Sequence, residues 1–212
     1  MNLARQVSAG DKDARILVIS ADLRSALGNS MPDNPTREDI VAVSLFRDAA
    51  STTIVGRGGG FRDNEENSEN CPRYEIVTGA SRIVEDTEFL VNYHETNEGA
   101  IRLHLDKQLP EFIGKAEPDF VASLLDKGRR VLRGKTCQED DDNTMMPRVQ
   151  EMDVLCHTGG PRVLREVAKS LGVTTDSMFS SWEVMKKNGN LSGASNLCVL
   201  DHHNLSQHKT SE

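Results

Sequence analysis

The chain has 212 residues, with 33 acidic against 25 basic side chains and a formal net charge of −8. Such an acidic surface argues against a nucleic-acid or anionic-membrane partner. No apolar leader follows Met1, and no run approaches the ~18 apolar residues of a membrane span.

Asn2–Ala9 has helical character without a start signal, like the last turns of a longer helix. Ala14–Ser20 (ARILVIS) is a short apolar run and predicts a buried strand. After a loop over Leu27–Pro35, a helix is expected with Asn34 as cap, Pro35 at its first position and Glu38 and Asp39 in its first turn. Its apolar face would be Ile40, Val43, Leu45 and Phe46. Ser51–Val55 is β-branched and predicts a strand. Residues 57–70 are glycine-rich, then acidic, and predict an exposed loop. The glycines there open no helix, so they do not read as a phosphate cradle.

Tyr74–Ala80, Glu88–Tyr93 and Gly99–Leu105 alternate loosely, as strands of a meander do. Lys107–Ile113 and Asp119–Leu132 read as two helices, and 134–148, with the acidic run Glu139–Asp142, as a second exposed loop. Asp153–Cys156 predicts a short strand ending at His157. Pro161–Leu171 has Pro161 near its start and Gly172 just past its end, which punctuates a helix. Thr175–Lys187 reads as a further helix. Ser192–Asp201 is apolar nearly all round and predicts a buried one. Residues 204–212 are polar and are expected to form a disordered tail. The order of elements indicates a mixed α/β unit.

Two segments carry chemistry: Cys156-His157-Thr158-Gly159-Gly160-Pro161 and Gly189-Asn190-Leu191-Ser192-Gly193-Ala194-Ser195. His157 and Asn190 lie 33 positions apart, each framed by small residues that let backbone approach a ligand closely. An imidazole and a side-chain amide can both donate to one developing oxyanion. The plainer readings are a core histidine at a strand end and a helix-capping asparagine.

A nucleophile is hard to find. The four cysteines, Cys71, Cys137, Cys156 and Cys198, are scattered and form no CxxC pair, which fits reduced thiols and a cytoplasmic location. Cys156 adjoins His157, but neighbours on a strand point to opposite faces. The spacings of Cys137, Cys156, His157, His202, His203 and His208 match no zinc pattern, so no metal site is expected.

These segments resemble the type III polyketide synthases, the chalcone and stilbene synthase family of the thiolase superfamily. His157–Pro161 is similar to the family's His-Pro-Gly-Gly-Pro, with Thr158 at the first proline. Gly189–Ala194 is similar to its Gly-Asn-Met-Ser-Ser-Ala, and the spacing between the motifs agrees. Val199-Leu200-Asp201 resembles Ile-Leu-Asp; Ala14–Ile19 resembles Ala-Arg-Val-Leu-Val-Val; Leu45–Ala50 resembles Leu-Phe-Gly-Asp-Gly-Ala; Leu103-His104-Leu105 before Leu109-Pro110 resembles Phe-His-Leu before Val-Pro. Arg47 and Ala49 stand where the family has glycines. The likeness runs from about Leu3 to Asp201. It implies that 1–203 form a chalcone/stilbene synthase C-terminal-like domain: an α/β fold, the C-terminal half of a thiolase-like layered arrangement. Its mixed sheet would be flanked by helices and incomplete at both ends.

The resemblance also implies a chemistry. A cysteine thiolate takes an acyl group from coenzyme A, malonyl-CoA loses carbon dioxide, and the enolate attacks the acyl thioester. His157 and Asn190 would be the catalytic pair that stabilises the enolate. Gly159 and Gly160 would let a pantetheine arm pass, and Ser192 would line the tunnel, unless it is a plain helix N-terminal serine. Arg162 would contact phosphate or simply lie on a solvated helix face. Leu103 would shape the acyl cavity and Asn29 would sit near a gatekeeping position, although either can be structural.

No cofactor is implied beyond coenzyme A thioesters as substrates. The family's nucleophilic cysteine falls before Met1, so no nucleophile is expected in the chain, which alone should fold poorly and be inactive. An N-terminal half is a possible partner, and the full-length family forms homodimers. The alternatives are a non-catalytic interaction protein or decayed paralogue, and another thiolase-superfamily condensing enzyme such as a ketoacyl synthase. The His-x-Gly-Gly-Pro frame disfavours the latter.

Overall fold

The computed structural model describes residues 1–11, 13–25, 33–57, 74–95, 101–135 and 147–209. The loop expected over 57–70 falls outside them except for Arg57, as does most of the loop expected over 134–148. The chain divides into two compact units: Met1–Ile19 with Thr52–Arg82 and Val121–Met146, and Ser20–Ser51 with Ile83–Phe120 and Pro147–Glu212.

The first unit opens with helix α1 (Asn2–Gly10), which has no side-chain cap and buries Ala4 and Ser8, one turn apart on a single face. Strands β1 (Arg15–Asp22) and β2 (Ala49–Gly56) form a two-stranded sheet and run on into the second unit. β1 is a strand as its sequence predicts, but none of its residues is buried. A run that is apolar on both faces needs cover on both faces, and here Leu17, Ile19 and Ile54 stay exposed. Tyr74–Ala80 pairs with no strand among the described residues, contrary to the meander reading. Instead, Gly79 lies against the Asn2 side chain, and its carbonyl accepts a 3.3 Å hydrogen bond from Lys127 Nζ.

The second unit holds helix α2 (Arg37–Leu45). Its cap is Thr36, not Asn34: Thr36 Oγ1 accepts from the Asp39 N–H at 3.2 Å, and Asp39 Oδ2 accepts from the Thr36 N–H at 2.8 Å. This reciprocal box satisfies more donors than an Asn34 cap followed by Pro35 would. The expected apolar face is largely uncovered, since Ile40 and Val43 are exposed. Strands β3 (Val91–Glu95) and β4 (Ile101–Leu105) pair antiparallel with Tyr93 opposite Leu103.

Helix α3 (Leu109–Lys135) spans what the sequence suggested were two helices, with Pro118 inside it. The Pro118 ring would crowd the carbonyl four residues back, at Gly114. A Cβ at Gly114 would sit 3.4 Å from Glu166, so a small residue suits the crowded turn.

Helix α4 (Pro161–Leu171) follows its punctuation: Pro161 lies in the first turn and Gly172 adopts the left-handed conformation at the C-cap. It buries Val163, Leu164, Val167 and Leu171 on one stripe. A 3-10 turn (Asp176–Met178) leads into α5 (Phe179–Asn188), splitting the helix expected over Thr175–Lys187. A second 3-10 turn (Ser192–Ala194) leads into α6 (Ser195–Lys209).

Ala194, Ser195 and Val199 are fully buried, as the apolar run predicts, and Val184 and Leu191 pack with Ala194 and Val199. Helix α6 runs on through Lys209, whereas 204–212 reads as a tail in the sequence. A buried first turn nucleates the helix, and polar residues then extend it at little cost. Asn204, 9% exposed, is held inside.

Candidate active site

His157 ends an extended segment rather than a strand. The backbone groups that a ladder would pair are taken locally: the Val154 N–H donates to the Ser177 carbonyl at 2.8 Å. The Cys156 N–H donates to Ser181 Oγ at 2.8 Å, and Ser181 Oγ donates back to the Val154 carbonyl at 3.4 Å. A buried serine hydroxyl, both acceptor and donor, thus substitutes for a neighbouring strand.

The Gly159 N–H turns back onto the His157 carbonyl at 2.8 Å. A Cβ at Gly159 would meet the His157 ring and Val163, each at 3.3 Å, so the first glycine of the frame is small where the imidazole packs over it. Gly160 has φ 138° and ψ 160°, a conformation open to glycine and costly for other residues. Burial pushes the His157 pKa below its ordinary value of 6.5, so the ring is neutral at pH 7, with one nitrogen a donor and the other an acceptor.

Asn190 follows Gly189, whose φ of 73° and ψ of −153° again require glycine. A Cβ there would lie 2.6 Å from the Leu45 carbonyl oxygen. That close approach lets the Asn190 N–H donate to Leu45 at 2.8 Å and the Arg47 N–H donate to the Asn190 carbonyl at 3.0 Å, a parallel bridge between Phe46 and Asn190. The Asn190 side chain is oriented by its own turn. Its Oδ1 accepts the Ser192 N–H at 2.8 Å, which leaves the NH2 end as a donor with no hydrogen bond among the described residues.

The two motifs meet twice. Leu45 Cδ2 lies 3.7 Å from where a Gly160 Cβ would stand, while the Leu45 backbone holds Asn190. Thr158 Oγ1 and Ser195 Oγ, both fully buried, share a 3.0 Å hydrogen bond. The neutral imidazole and the oriented amide therefore sit on segments tied to one another, each flanked by small residues.

Neither described cysteine is an activated thiol. Cys156 is pushed up to about 12, first by burial and then by the charge of Glu117, and its Sγ donates weakly to the His157 carbonyl at 3.5 Å. Burial also raises Cys198, which packs against the Val184–Val199 core. Among the described residues, no group of three or more His, Cys, Asp or Glu could hold a metal ion, and no helix is long and apolar enough to cross a membrane.

The family model of the chalcone and stilbene synthase C-terminal domain matches residues 75–212. The chain belongs to the chalcone and stilbene synthase family. Probable polyketide synthase 1 of Dictyostelium discoideum is 31% identical over 188 residues, which are 89% of this chain and 5% of that protein. The solved C-terminal type III polyketide synthase domain of Steely1, a type I/III hybrid from Dictyostelium, is similar with a TM-score of 0.78 and 26% identity, over 96% of this chain and 50% of that one. CsyB, solved in complex with CoA-SH, shares the fold at 20% identity and a TM-score of 0.76, over all of this chain and 54% of its own. The fold is thus the thiolase-like one of type III synthases, and the chain spans about half the length of these solved structures.

Against the family pattern, the remaining residues fall as follows. Leu103 is buried in β4. Asn29 lies outside the described residues. Arg162 donates to the Lys107 carbonyl at 3.0 Å and pairs with Glu111 at 2.5 Å, so its guanidinium ties α4 to α3. Arg47, in place of a glycine, turns outward and donates to the carbonyls of Val43 and Phe46.

Ser192 takes a left-handed φ of 53°, and its Oγ accepts from Arg24, which also donates to Tyr93 Oη and pairs with Asp22. The Asp22–Arg24 pair was not singled out in the sequence. Its signal is two opposite charges just where an apolar strand runs out.

Proposed function

We propose that the chain supplies the histidine–asparagine half of a type III polyketide synthase-type site, an acyltransferase that condenses malonyl-CoA with an acyl-CoA starter by decarboxylation. The observation that carries this reading is the double tie between the His157 loop and the Asn190 turn, through Leu45 and through Thr158–Ser195. A neutral imidazole and a pre-oriented amide are the donors an enolate oxygen needs as malonyl-CoA loses carbon dioxide. Each donor of that kind typically lowers the barrier by about 3–4 kcal/mol. Coenzyme A in a solved structure of the same fold fits a thioester substrate for this chain too. Gly159 and Gly160 would leave room for its pantetheine arm, and Ser192 and Leu103 would line the acyl tunnel.

The acyl-enzyme step needs a thiolate, and the buried thiol of Cys156 does not provide one at neutral pH. In this reading the nucleophile comes from the cysteine-bearing half of the fold. The exposed apolar residues Leu17, Ile19 and Ile54 fit a surface that another protein segment covers. The test supplies a family N-terminal half, with and without its cysteine, and follows the condensation product formed from an acyl-CoA starter and malonyl-CoA. Turnover with the cysteine-bearing half alone is the expected result. Stable binding of that half with no turnover in either case would favour the non-catalytic interaction protein instead.

A further inference from the structure

We propose that Arg24, braced by Asp22, is a positioning residue for Asn190: it holds the turn that presents the amide NH2 end to the substrate oxygen. The proposal rests on the oxyanion reading above and names what fixes one of its donors. The Asn190 amide is oriented by one bond, from the Ser192 N–H to Oδ1 at 2.8 Å. Beyond that bond Ser192 takes a left-handed φ of 53°, which a residue with a Cβ adopts reluctantly.

Two groups hold the turn in place. Arg24 Nη2 donates to Ser192 Oγ, and Asp22 Oδ2 accepts the Gly193 N–H at 2.9 Å. Asp22 Oδ1 stands 3.4 Å from Arg24 Nη2, which joins the two into one clamp. Gly193 has no Cβ because one would fall 2.8 Å from both Asp22 Oδ2 and Ser20 Oγ, so the turn closes directly onto the end of β1.

The clamp is itself fixed. The Arg24 guanidinium lies 5.4 Å from the centre of the Phe46 ring and 5.9 Å from that of Tyr93, and its Nη1 donates to Tyr93 Oη. Phe46 is also the residue that bridges to Asn190 through the backbone. A lysine could keep the charge but not the fork that reaches two hydroxyls at once.

The test uses the 15N-labelled chain with Arg24→Leu, Arg24→Lys and Asp22→Asn, and Asn190→Asp to assign the side-chain amide signals. Arg24→Leu should speed exchange of the Ser192 amide on the order of tenfold, as loss of one modest hydrogen bond allows. It should also move the Asn190 NH2 signals toward those of a free amide, while the amides of α4 keep their protection. A purely structural role would raise exchange everywhere together. Arg24→Lys and Asp22→Asn should show the same local signature at smaller amplitude, and they decide the matter if Arg24→Leu does not fold.

Unchanged Asn190 NH2 signals and Ser192 exchange in the folded variants would overturn the proposal. Malonyl-CoA added to the parent chain should shift the Asn190 NH2 signals. No shift in the parent would count against the oxyanion reading, while the exchange comparison still decides whether Arg24 positions Asn190.

Discussion

Thr158 and Ser195 join the two motifs by a 3.0 Å hydrogen bond between fully buried hydroxyls, 37 positions apart. Thr158→Val keeps the shape and strands the Ser195 hydroxyl, which should cost about 1–3 kcal/mol. Ser195→Ala should cost a similar amount, and the double variant clearly less than the sum, because neither hydroxyl is then left alone. Urea midpoints of the three variants measure this.

Gly189 and Gly10 make an informative contrast. Gly189→Ala forces a Cβ to 2.6 Å from the Leu45 carbonyl and an alanine into φ 73°, ψ −153°. The backbone conformation alone should cost about 1–3 kcal/mol. Gly10, the last residue of α1, has nothing within 4 Å of such a Cβ, and Gly10→Ala should be neutral or gain about 0.5 kcal/mol. Thermal or urea unfolding of the two variants reads the difference.

Cys156 should behave as an inert thiol. With its pKa pushed up to about 12 from an ordinary 9.0, its thiolate population at pH 8 is lower than a free cysteine's by about three decades. Thiol labelling followed by peptide mapping should find it unmodified until the chain unfolds. Labelling at the rate of free cysteine would contradict this assignment.

Stability should depend on Glu117 and His157 with opposite signs. Burial raises the Glu117 pKa above 4.5, and its Oε2 is buried without a hydrogen bond. As pH rises from the unfolded value, the unfolded chain releases this proton first, so stability falls. Glu117→Gln should therefore raise the urea midpoint at pH 7, with the gain shrinking toward pH 4. Burial lowers the His157 pKa below 6.5, so the unfolded chain takes up a proton first as pH falls, and stability is lost below about pH 6.5. His157→Gln should flatten that acid-side slope.

Much of this was legible in the residues because glycine and proline carry unambiguous constraints. Pro161 and Gly172 bounded α4, and Gly160 and Gly189 marked backbone that only glycine adopts readily. Apolar runs announced β1 and the buried start of α6. Local patterns misled wherever a partner outside the pattern decided the outcome. Ser181, 25 residues past Cys156, took the bonds that a strand ladder would have made. Helix α3 runs on through Pro118, and the buried turn at Ser195 carried helix into a polar segment. The Asp22–Arg24 clamp on Ser192 and Gly193 joins residues about 170 positions apart, beyond any local signal.

The most direct measurement is carbon dioxide release from malonyl-CoA by the chain combined with a cysteine-bearing family half, comparing the parent with His157→Ala and Asn190→Ala. Each substitution should lower kcat by about 10²–10³-fold, as loss of one oxyanion donor does. Decarboxylation that proceeds at the parent rate in both variants would contradict the account.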